Sequence, residues 1–237
     1  MTRAQKVLGV TAARGGSKGV PRKNIRQIGG IPLIAYTIRE AKKSRLISRY
    51  IVSTDDDEIA EVARHYGAEV LMRPAELAED HTPMIAVMQH ALKWCEEEEG
   101  EWYDIVADLR CTNPLKTAHD IDGAIEKLIH TGADGVIGVT KLDDHHPARI
   151  KRVFEDRLID FAWPEPPAGL RQELKPDAFI RNGSLYVVLR DALLDGILLQ
   201  GSDNLRPWYM PLEKSVNIDS ELNFVLVEAL LGRNRQI

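Results

Sequence analysis

The chain has 237 residues, of which 44% are hydrophobic and 28% are charged, and its formal net charge is -5. A chain of this length can bury a sizeable core, and it fits one α/β domain over residues 1–237 better than two small domains. The negative net charge argues against general affinity for nucleic acid or for an anionic membrane, so any anion-binding site must be local.

The cysteine content and the N-terminal residues bear on location. Cys95 and Cys111 are too few and too far apart for a disulfide framework or a zinc site, which favours a reducing compartment and a cytoplasmic location. The apolar stretch that ends at Ala13 is too short for a signal peptide, and Arg14 interrupts it, so a first β-strand is the better interpretation. No apolar run approaches the ~20 residues that span a bilayer, so we expect no membrane partner.

Strands and helices alternate through residues 7–139. Segments rich in apolar residues predict strands at residues 7–13, 50–54, 68–72, 104–111 and 135–139. Apolar residues at helical spacing predict helices that begin near residue 32, cover residues 59–66, extend from about 83 to 99, and cover residues 121–129. This alternation predicts a mostly parallel, Rossmann-like sheet flanked by helices, with the ligand at the carboxyl ends of the strands.

The alternation stops between about residues 142 and 181, where several prolines block regular helices. We interpret this segment as an inserted arm. The arm carries Phe154, Phe161 and Trp163 but has little core of its own, so we expect a partner copy to cover these side chains in a homodimer. Beyond the arm, a strand is predicted at residues 184–189 and a closing helix around residues 222–230.

A glycine-rich basic loop follows the first predicted strand. Residues 12–24 read Ala-Ala-Arg-Gly-Gly-Ser-Lys-Gly-Val-Pro-Arg-Lys-Asn. The glycines let the backbone approach anionic oxygens closely, and Arg14, Lys18, Arg22 and Lys23 add four positive charges. The loop matches neither the P-loop nor the dinucleotide-binding pattern, which disfavours kinases and dehydrogenases. Composition alone leaves open whether it binds an anion or is a solvated basic turn.

The order of residues in this loop resembles the N-terminal signature of the acylneuraminate cytidylyltransferases, which make CMP-sialic acid, and of their relatives that act on other nine-carbon sugar acids. Later segments resemble the later blocks of this family, in the same order and along nearly the whole chain. These segments are residues 51–55, 73–78, 112–116, 145–147, 171–174 and 182–186.

The resemblance implies a fold, a reaction and a set of site residues. CMP would be transferred from CTP to the anomeric hydroxyl of a sialic-acid-like sugar acid with release of pyrophosphate, magnesium would be required, and the arm would cross to the partner in a homodimer. Arg14, Lys23 and Asp219 would be catalytic, and Asp219 would bind the metal. The residues implied in nucleotide binding are Ala13, Arg14, Gly15, Lys23, Asn24 and Arg110, and those implied near the sugar are Arg171, Gln172, Asn182 and Tyr186.

The chemistry of such a reaction explains these residue types. Attack of a sugar hydroxyl on the α-phosphorus of CTP builds negative charge on the phosphate oxygens and on the departing pyrophosphate. Arg14 and Lys23 would neutralise the leaving group. A divalent ion held by Asp219 would bridge phosphate oxygens and acidify the attacking hydroxyl.

Three departures from the family pattern suggest a different sugar or an altered metal site. Arg110 stands before Cys-Thr-Asn-Pro, where sialic acid enzymes carry glutamine before Pro-Thr-Ser-Pro. Arg181 is displaced by one residue relative to the usual Arg-Pro-Asn-Gly. Asn217 replaces an aspartate two residues before Asp219.

Strand geometry offers a second interpretation of Arg110. Asp108, Arg110 and Thr112 are spaced by two and project from one face of the sheet, so Arg110 either contacts substrate or pairs with Asp108. His145 and His146 lie beside a proline with no third metal ligand at suitable spacing, so we expect a structural role for both. Two alternative functions remain open: a cytidylyltransferase for an eight-carbon ulosonic acid, and a nucleotide-binding homologue without turnover.

Overall fold

The computed structural model describes residues 5–167, 170, 173–198 and 200–233. Its strands are β1 (Val7–Ala12), β2 (Gln27–Ile28), β3 (Ile31–Pro32), β4 (Arg49–Thr54), β5 (Glu69–Met72), β6 (Ile105–Leu109), β7 (Gly135–Lys141), β8 (Lys151–Phe154), β9 (Arg157–Asp160), β10 (Phe179–Leu189) and β11 (Leu205–Tyr209). Seven of them form a central sheet in the order β11-β7-β10-β6-β1-β4-β5. Within this sheet β10 runs antiparallel to both neighbours and the other pairs are parallel, which confirms the predicted fold class.

Helices cover both faces of the central sheet. They are α1 (Leu33–Lys43), α2 (Asp57–His65), α3 (Met84–Glu99), α4 (Ala118–Thr131), α5 (Arg190–Leu194) and α6 (Glu221–Arg233). On one face α3 and α5 pack against Leu8, Val106 and Val188. On the other face α1, α2 and α4 pack against alternate residues of the same strands. The inner parallel strands are therefore buried on both sides, which explains their continuous apolar sequences.

The segment predicted as an arm contains a short hairpin outside the central sheet. Among the described residues, β8 and β9 pair only with each other, and the next strand, β10, belongs to the central sheet. The predicted start of this last strand at residue 184 was wrong, because β10 begins at Phe179, where it already pairs with Lys141 of β7. Below, the hairpin arm means residues 142–178.

Helix α5 and strand β11 were also not predicted from the sequence. Helix α5 has only five residues, too few to show helical periodicity. Strand β11 contains Pro207, which is tolerated because β11 is an edge strand that pairs only with β7. In the part of the chain that the structure describes, no helix has both the length and the apolar character needed to cross a membrane.

Candidate active site

A cavity of about 470 Å³ opens where β1, β5 and β6 end. Its walls come from the glycine-rich loop after β1, from Arg73 after β5, from the start of α3, from the turn after β6, and from the segment before α6. Open α/β sheets bind their ligands at this edge. Five of the residues predicted for the site line the cavity together: Arg14, Lys23, Asn24, Arg110 and Asp219.

The glycine-rich loop is held against the end of β6 by Asn24. The Asn24 amide nitrogen donates to the carbonyl oxygen of Arg14 at 2.9 Å, and its side-chain oxygen accepts from the Cys111 thiol at 3.2 Å. Gly15 is also required for this packing, since a side chain there would begin 2.5 Å from a carboxylate oxygen of Asp56. The loop therefore presents its cations from a fixed backbone.

Acidic side chains neutralise these cations in the free protein. Arg14 Nη2 lies 2.8 Å from Asp80 Oδ1, and Lys18 forms an ion pair with the same carboxylate. Asp80 belongs to the segment between β5 and α3, so it reaches the loop from across the cavity mouth. The bond from Lys18 holds the pKa of Asp80 below its usual value. A carboxylate thus occupies a position where an anionic ligand would meet Arg14 and Lys18.

Arg73 is a further cation at the cavity. Its side chain is only 3% exposed, its nearest acidic oxygen, on Asp55, is 3.7 Å away, and its Nε and Nη1 atoms have no hydrogen-bond partner in the described part of the chain. Burial lowers the pKa of Arg73, and the charge of Arg14 adds to this effect while Asp55 opposes it. A buried guanidinium with free donors favours an anionic or carbonyl ligand in the cavity.

Asp219 lies opposite the glycine-rich loop. Lys23 Nζ donates to Asp219 Oδ1 at 3.2 Å and to the carbonyl oxygen of Ile218 at 2.8 Å. Asn217 Nδ2 donates to Asp219 Oδ2 at 3.0 Å, and the buried Asn217 Oδ1 has no hydrogen-bond partner among the described residues. Exchange of the two amide atoms of Asn217 would instead set a carbonyl oxygen beside the carboxylate.

This donor set fits a magnesium ion that keeps most of its ligands from phosphate and water. One carboxylate and one amide oxygen are available from Asp219 and Asn217. Among the described residues, no group of three or more His, Cys, Asp or Glu side chains is placed to hold a metal ion. Two protein oxygens leave most coordination positions of such an ion to other ligands.

The turn after β6 places Arg110. The buried Lys116 Nζ donates to Thr37 Oγ1 at 2.9 Å and to the carbonyl oxygens of Arg110 and Asn113 at 2.7 and 2.5 Å, and burial lowers the pKa of Lys116 to about 8. Arg110 Nε donates to Asp108 Oδ2 at 3.1 Å. The predicted pairing with Asp108 is confirmed, and Arg110 also lines the cavity.

Comparisons with known proteins identify the family of the chain. A family model described as cytidylyltransferase matches residues 9–155, more than half of the chain. The chain belongs to the cytidylyltransferase family. This confirms the resemblance found in the sequence.

Two relatives match the cytidylyltransferase over nearly its whole length. Post-translational flagellin modification protein B of Campylobacter coli is 34% identical over 229 residues, which cover 95% of this chain and 94% of that protein. CMP-N,N'-diacetyllegionaminic acid synthase of Campylobacter jejuni subsp. jejuni is 35% identical over 227 residues, which cover 95% of each chain. Among solved structures, CMP:2-keto-3-deoxy-manno-octonic acid synthetase complexed with CTP matches with a TM-score of 0.72 over 97% of this chain and all of that one, at 17% identity. This last likeness shows a common fold.

Of the other predicted site residues, the four that the structure describes do not line the cavity: Ala13, Gly15, Asn182 and Tyr186. Ala13 is buried in the core between α1 and α2. Asn182 is buried in β10, where it accepts from the Ser184 amide and donates to Ser215 Oγ, so its hydrogen bonds are structural. The ring of Tyr186 stacks against Arg110, with its centre 4.5 Å from the guanidinium carbon. Arg171 and Gln172 lie outside the described residues, and the sugar-binding assignments stay predictions.

His146 has the structural role expected from the sequence. Its Nδ1 accepts from the Ala148 amide, and its Nε2 lies 2.9 Å from the carbonyl oxygen of Pro176. Both ring nitrogens are thus used within the hairpin arm.

Two residues at the cavity, Arg73 and Asp80, were not predicted as site residues. Arg73 belongs to a segment that resembles the family, directly after a predicted strand, so a signal for it was present. Asp80 had none, because its contact with Arg14 depends on tertiary structure.

Proposed function

We propose that this cytidylyltransferase transfers CMP from CTP to the anomeric hydroxyl of a nonulosonic acid and releases pyrophosphate. The observation that supports this most strongly is the concentration of Arg14, Lys18, Lys23 and Arg73 around one cavity of a protein whose net charge is -5. A relative that matches 95% of the chain is named as a synthase of a CMP-linked diacetyllegionaminic acid. Together these point to a triphosphate and an acidic sugar as the substrates.

The reaction requires cations placed where charge develops. Arg14 and Lys23 approach the cavity from a braced loop, so little reorganisation is needed when the β- and γ-phosphates leave as pyrophosphate. Asp219, with Asn217 beside it, would hold the magnesium ion. When bound, this ion supplies charge neutralisation at phosphate oxygens and makes the sugar hydroxyl more acidic.

Similarity to the relatives favours a nine-carbon acid over an eight-carbon acid. Pseudaminic acid cytidylyltransferase of Campylobacter jejuni subsp. jejuni is 37% identical, although over only 58% of the chain. The solved synthetase for the eight-carbon acid is 17% identical, and such a likeness extends to the fold alone. The nonulosonic acids are therefore the first substrates to test.

Pyrophosphate release is the decisive assay. We expect release from CTP only when a nonulosonic acid and Mg²⁺ are present, and more release with such an acid than with an eight-carbon ulosonic acid. Calorimetry should show tighter binding of CTP than of ATP or GTP. If CTP binds but no sugar acid causes pyrophosphate release, the result would support the alternative that the protein binds nucleotide without catalysing a reaction.

Asp80→Asn should strengthen inhibition by the product pyrophosphate. The wild-type carboxylate competes with pyrophosphate for Arg14 and Lys18, whereas the amide does not. We expect the inhibition constant for pyrophosphate to fall several-fold in initial-rate measurements. Glu58→Gln is the matched control because this exposed carboxylate pairs with Arg22 outside the cavity. An unchanged inhibition constant in Asp80→Asn would contradict the competition.

We also propose a homodimer formed through the hairpin arm. Val153, Phe154, Leu158 and Phe161 are all more than half exposed in the single chain, and no described residue of the same chain buries them. Such a patch on a two-stranded hairpin favours burial against a partner.

Light scattering tests the dimer. At micromolar concentration we expect about twice the monomer mass of 26.6 kDa, and Leu158→Asp should shift the mass toward the monomer. Leu222→Asp on α6 is a matched control, since Leu158 and Leu222 are 75% and 74% exposed. A monomeric wild-type protein would rule out the dimer.

A further inference from the structure

Strand β6 contains a buried carboxylate that has no role in the steps above. Asp108 is 0% exposed and lies near the end of β6. Its Oδ2 accepts from Arg110 Nε at 3.1 Å, while its Oδ1 has no hydrogen-bond partner among the described residues. Burial raises the pKa of Asp108, an effect that the charge of Arg110 opposes. A buried carboxylate is costly, so its one strong contact indicates what it does.

Arg110 is held from two sides. Tyr186 lies opposite Asp108 on the neighbouring strand β10, and the guanidinium carbon of Arg110 is 4.5 Å from the centre of the Tyr186 ring. Asp108 accepts from Nε, so this contact leaves the two terminal nitrogens of Arg110, a residue that lines the cavity, available to a ligand. These contacts fix the plane of the guanidinium before a ligand binds.

The sheet order separates Arg110 from the phosphate-binding cations. The glycine-rich loop follows β1 and Arg73 follows β5, both on one side of β6. Tyr186, over which Arg110 stacks, belongs to β10 on the other side of β6. Arg110 is therefore turned toward the part of the cavity away from Arg73.

The charge of the pair limits what Arg110 binds. Asp108 and Arg110 together are neutral, so the pair adds little net attraction for a phosphate or a carboxylate. A guanidinium also has donors and no acceptor. The suitable ligand is thus an uncharged oxygen acceptor, such as a hydroxyl or an N-acyl carbonyl oxygen.

We infer that Asp108 and Tyr186 are positioning residues that fix Arg110 as a donor to an uncharged acceptor oxygen of the sugar acid. This inference rests on the proposed function. It assigns Arg110 to sugar selection, although the family resemblance implied nucleotide binding.

Kinetics separates the sugar from the nucleotide. Asp108→Asn keeps the size of the side chain but releases Arg110, and Arg110→Met removes the donors. We expect the KM for the sugar acid at saturating CTP to rise several-fold in the first variant and about tenfold in the second, the scale of one hydrogen bond. The calorimetric Kd for CTP should stay within about twofold of wild type in both.

The double variant Asp108→Asn/Arg110→Met tests whether Asp108 acts through Arg110. Its KM for the sugar acid should equal that of Arg110→Met, because two residues in one unit are not additive. The double variant has no unpaired buried charge, so it can replace Arg110→Met in the test if that single variant does not fold. Its KM for the sugar acid should then be about tenfold above wild type, with CTP binding retained. Asp122→Asn, at another buried carboxylate bonded to Ser44, controls for loss of stability and should keep the wild-type KM.

Two results would overturn the inference while the wild type remains active. One is a wild-type KM for the sugar acid in both Asp108→Asn and the double variant. The other is a loss of CTP affinity that matches the rise in KM, which would place Arg110 at the nucleotide. A wild-type protein that releases no pyrophosphate with any sugar acid would instead refute the proposed function.

Discussion

Arg14→Ala and Lys23→Ala should each lower turnover by about 10²-fold or more, the loss expected when a preorganised charge is removed from a transition state. Both cations line the cavity, and Arg14 is anchored through its carbonyl oxygen by Asn24. Alanine removes the charge and leaves the backbone brace in place. Single-turnover rates with saturating CTP and sugar acid would measure the chemical step directly.

Arg22→Gln is the matched control for these variants. Arg22 precedes Lys23 in the same loop, but its guanidinium bonds to Asp56 at 2.6 and 3.1 Å and does not line the cavity. Turnover in this variant should stay within a few-fold of wild type. Near-normal turnover in both Arg14→Ala and Lys23→Ala would show that the loop is a solvated basic turn without a catalytic role.

The parallel part of the fold could be predicted because burial on two faces leaves a local signal. Strands such as β1 and β6 are buried along almost their whole length and are mostly apolar, and the helices between them repeat apolar residues at helical spacing. The first residues of β10 left no such signal, since Phe179, Ile180 and Arg181 are exposed and belong to the strand through their pairing with β7. Tertiary pairing alone makes them a strand.

The hairpin of β8 and β9 was missed for a different reason. Its turn residues Glu155 and Asp156 have φ values of 47° and 61°, a conformation that usually selects Asn or Gly. The strands are mostly exposed on both sides, so they show no alternation of apolar and polar residues. The sequence therefore predicted only the absence of helix in this segment.

The residues of the candidate site also differ in whether the sequence alone could predict them. Arg14, Lys23 and Asn24 lie in one contiguous loop whose residue types indicate anion binding without a structure. Asp80 reaches Arg14 from a segment more than sixty residues away, a contact that depends on the packing of α3 against β1. A contiguous motif could therefore be recognised in the sequence. The acidic residues that pair with its cations could be identified only from the tertiary structure.

Asp219→Asn should nearly abolish turnover, while Asn217→Asp should lower the Mg²⁺ concentration needed for half-maximal activity. Mg²⁺ prefers charged oxygens, and Asp219 is the only carboxylate that the segment before α6 presents to the cavity among the described residues. A second carboxylate at position 217 would add a charged ligand beside it, since the Asn217 amide is 3.0 Å from Asp219 Oδ2. Initial rates across a Mg²⁺ titration at fixed CTP would measure both effects.

Glu221→Gln is the matched control, because Glu221 lies two residues further along, pairs with Arg26 and does not line the cavity. It should show the wild-type response to Mg²⁺. If Asp219→Asn remained active at ordinary Mg²⁺ concentrations, the ion would have to be held elsewhere. Asp108 is a poor substitute, because it is buried and paired with Arg110. Glu79 and Asp80 are the other carboxylates that line the cavity in the described part of the chain, so Asp80→Asn should then raise the Mg²⁺ requirement in the Asp219→Asn background.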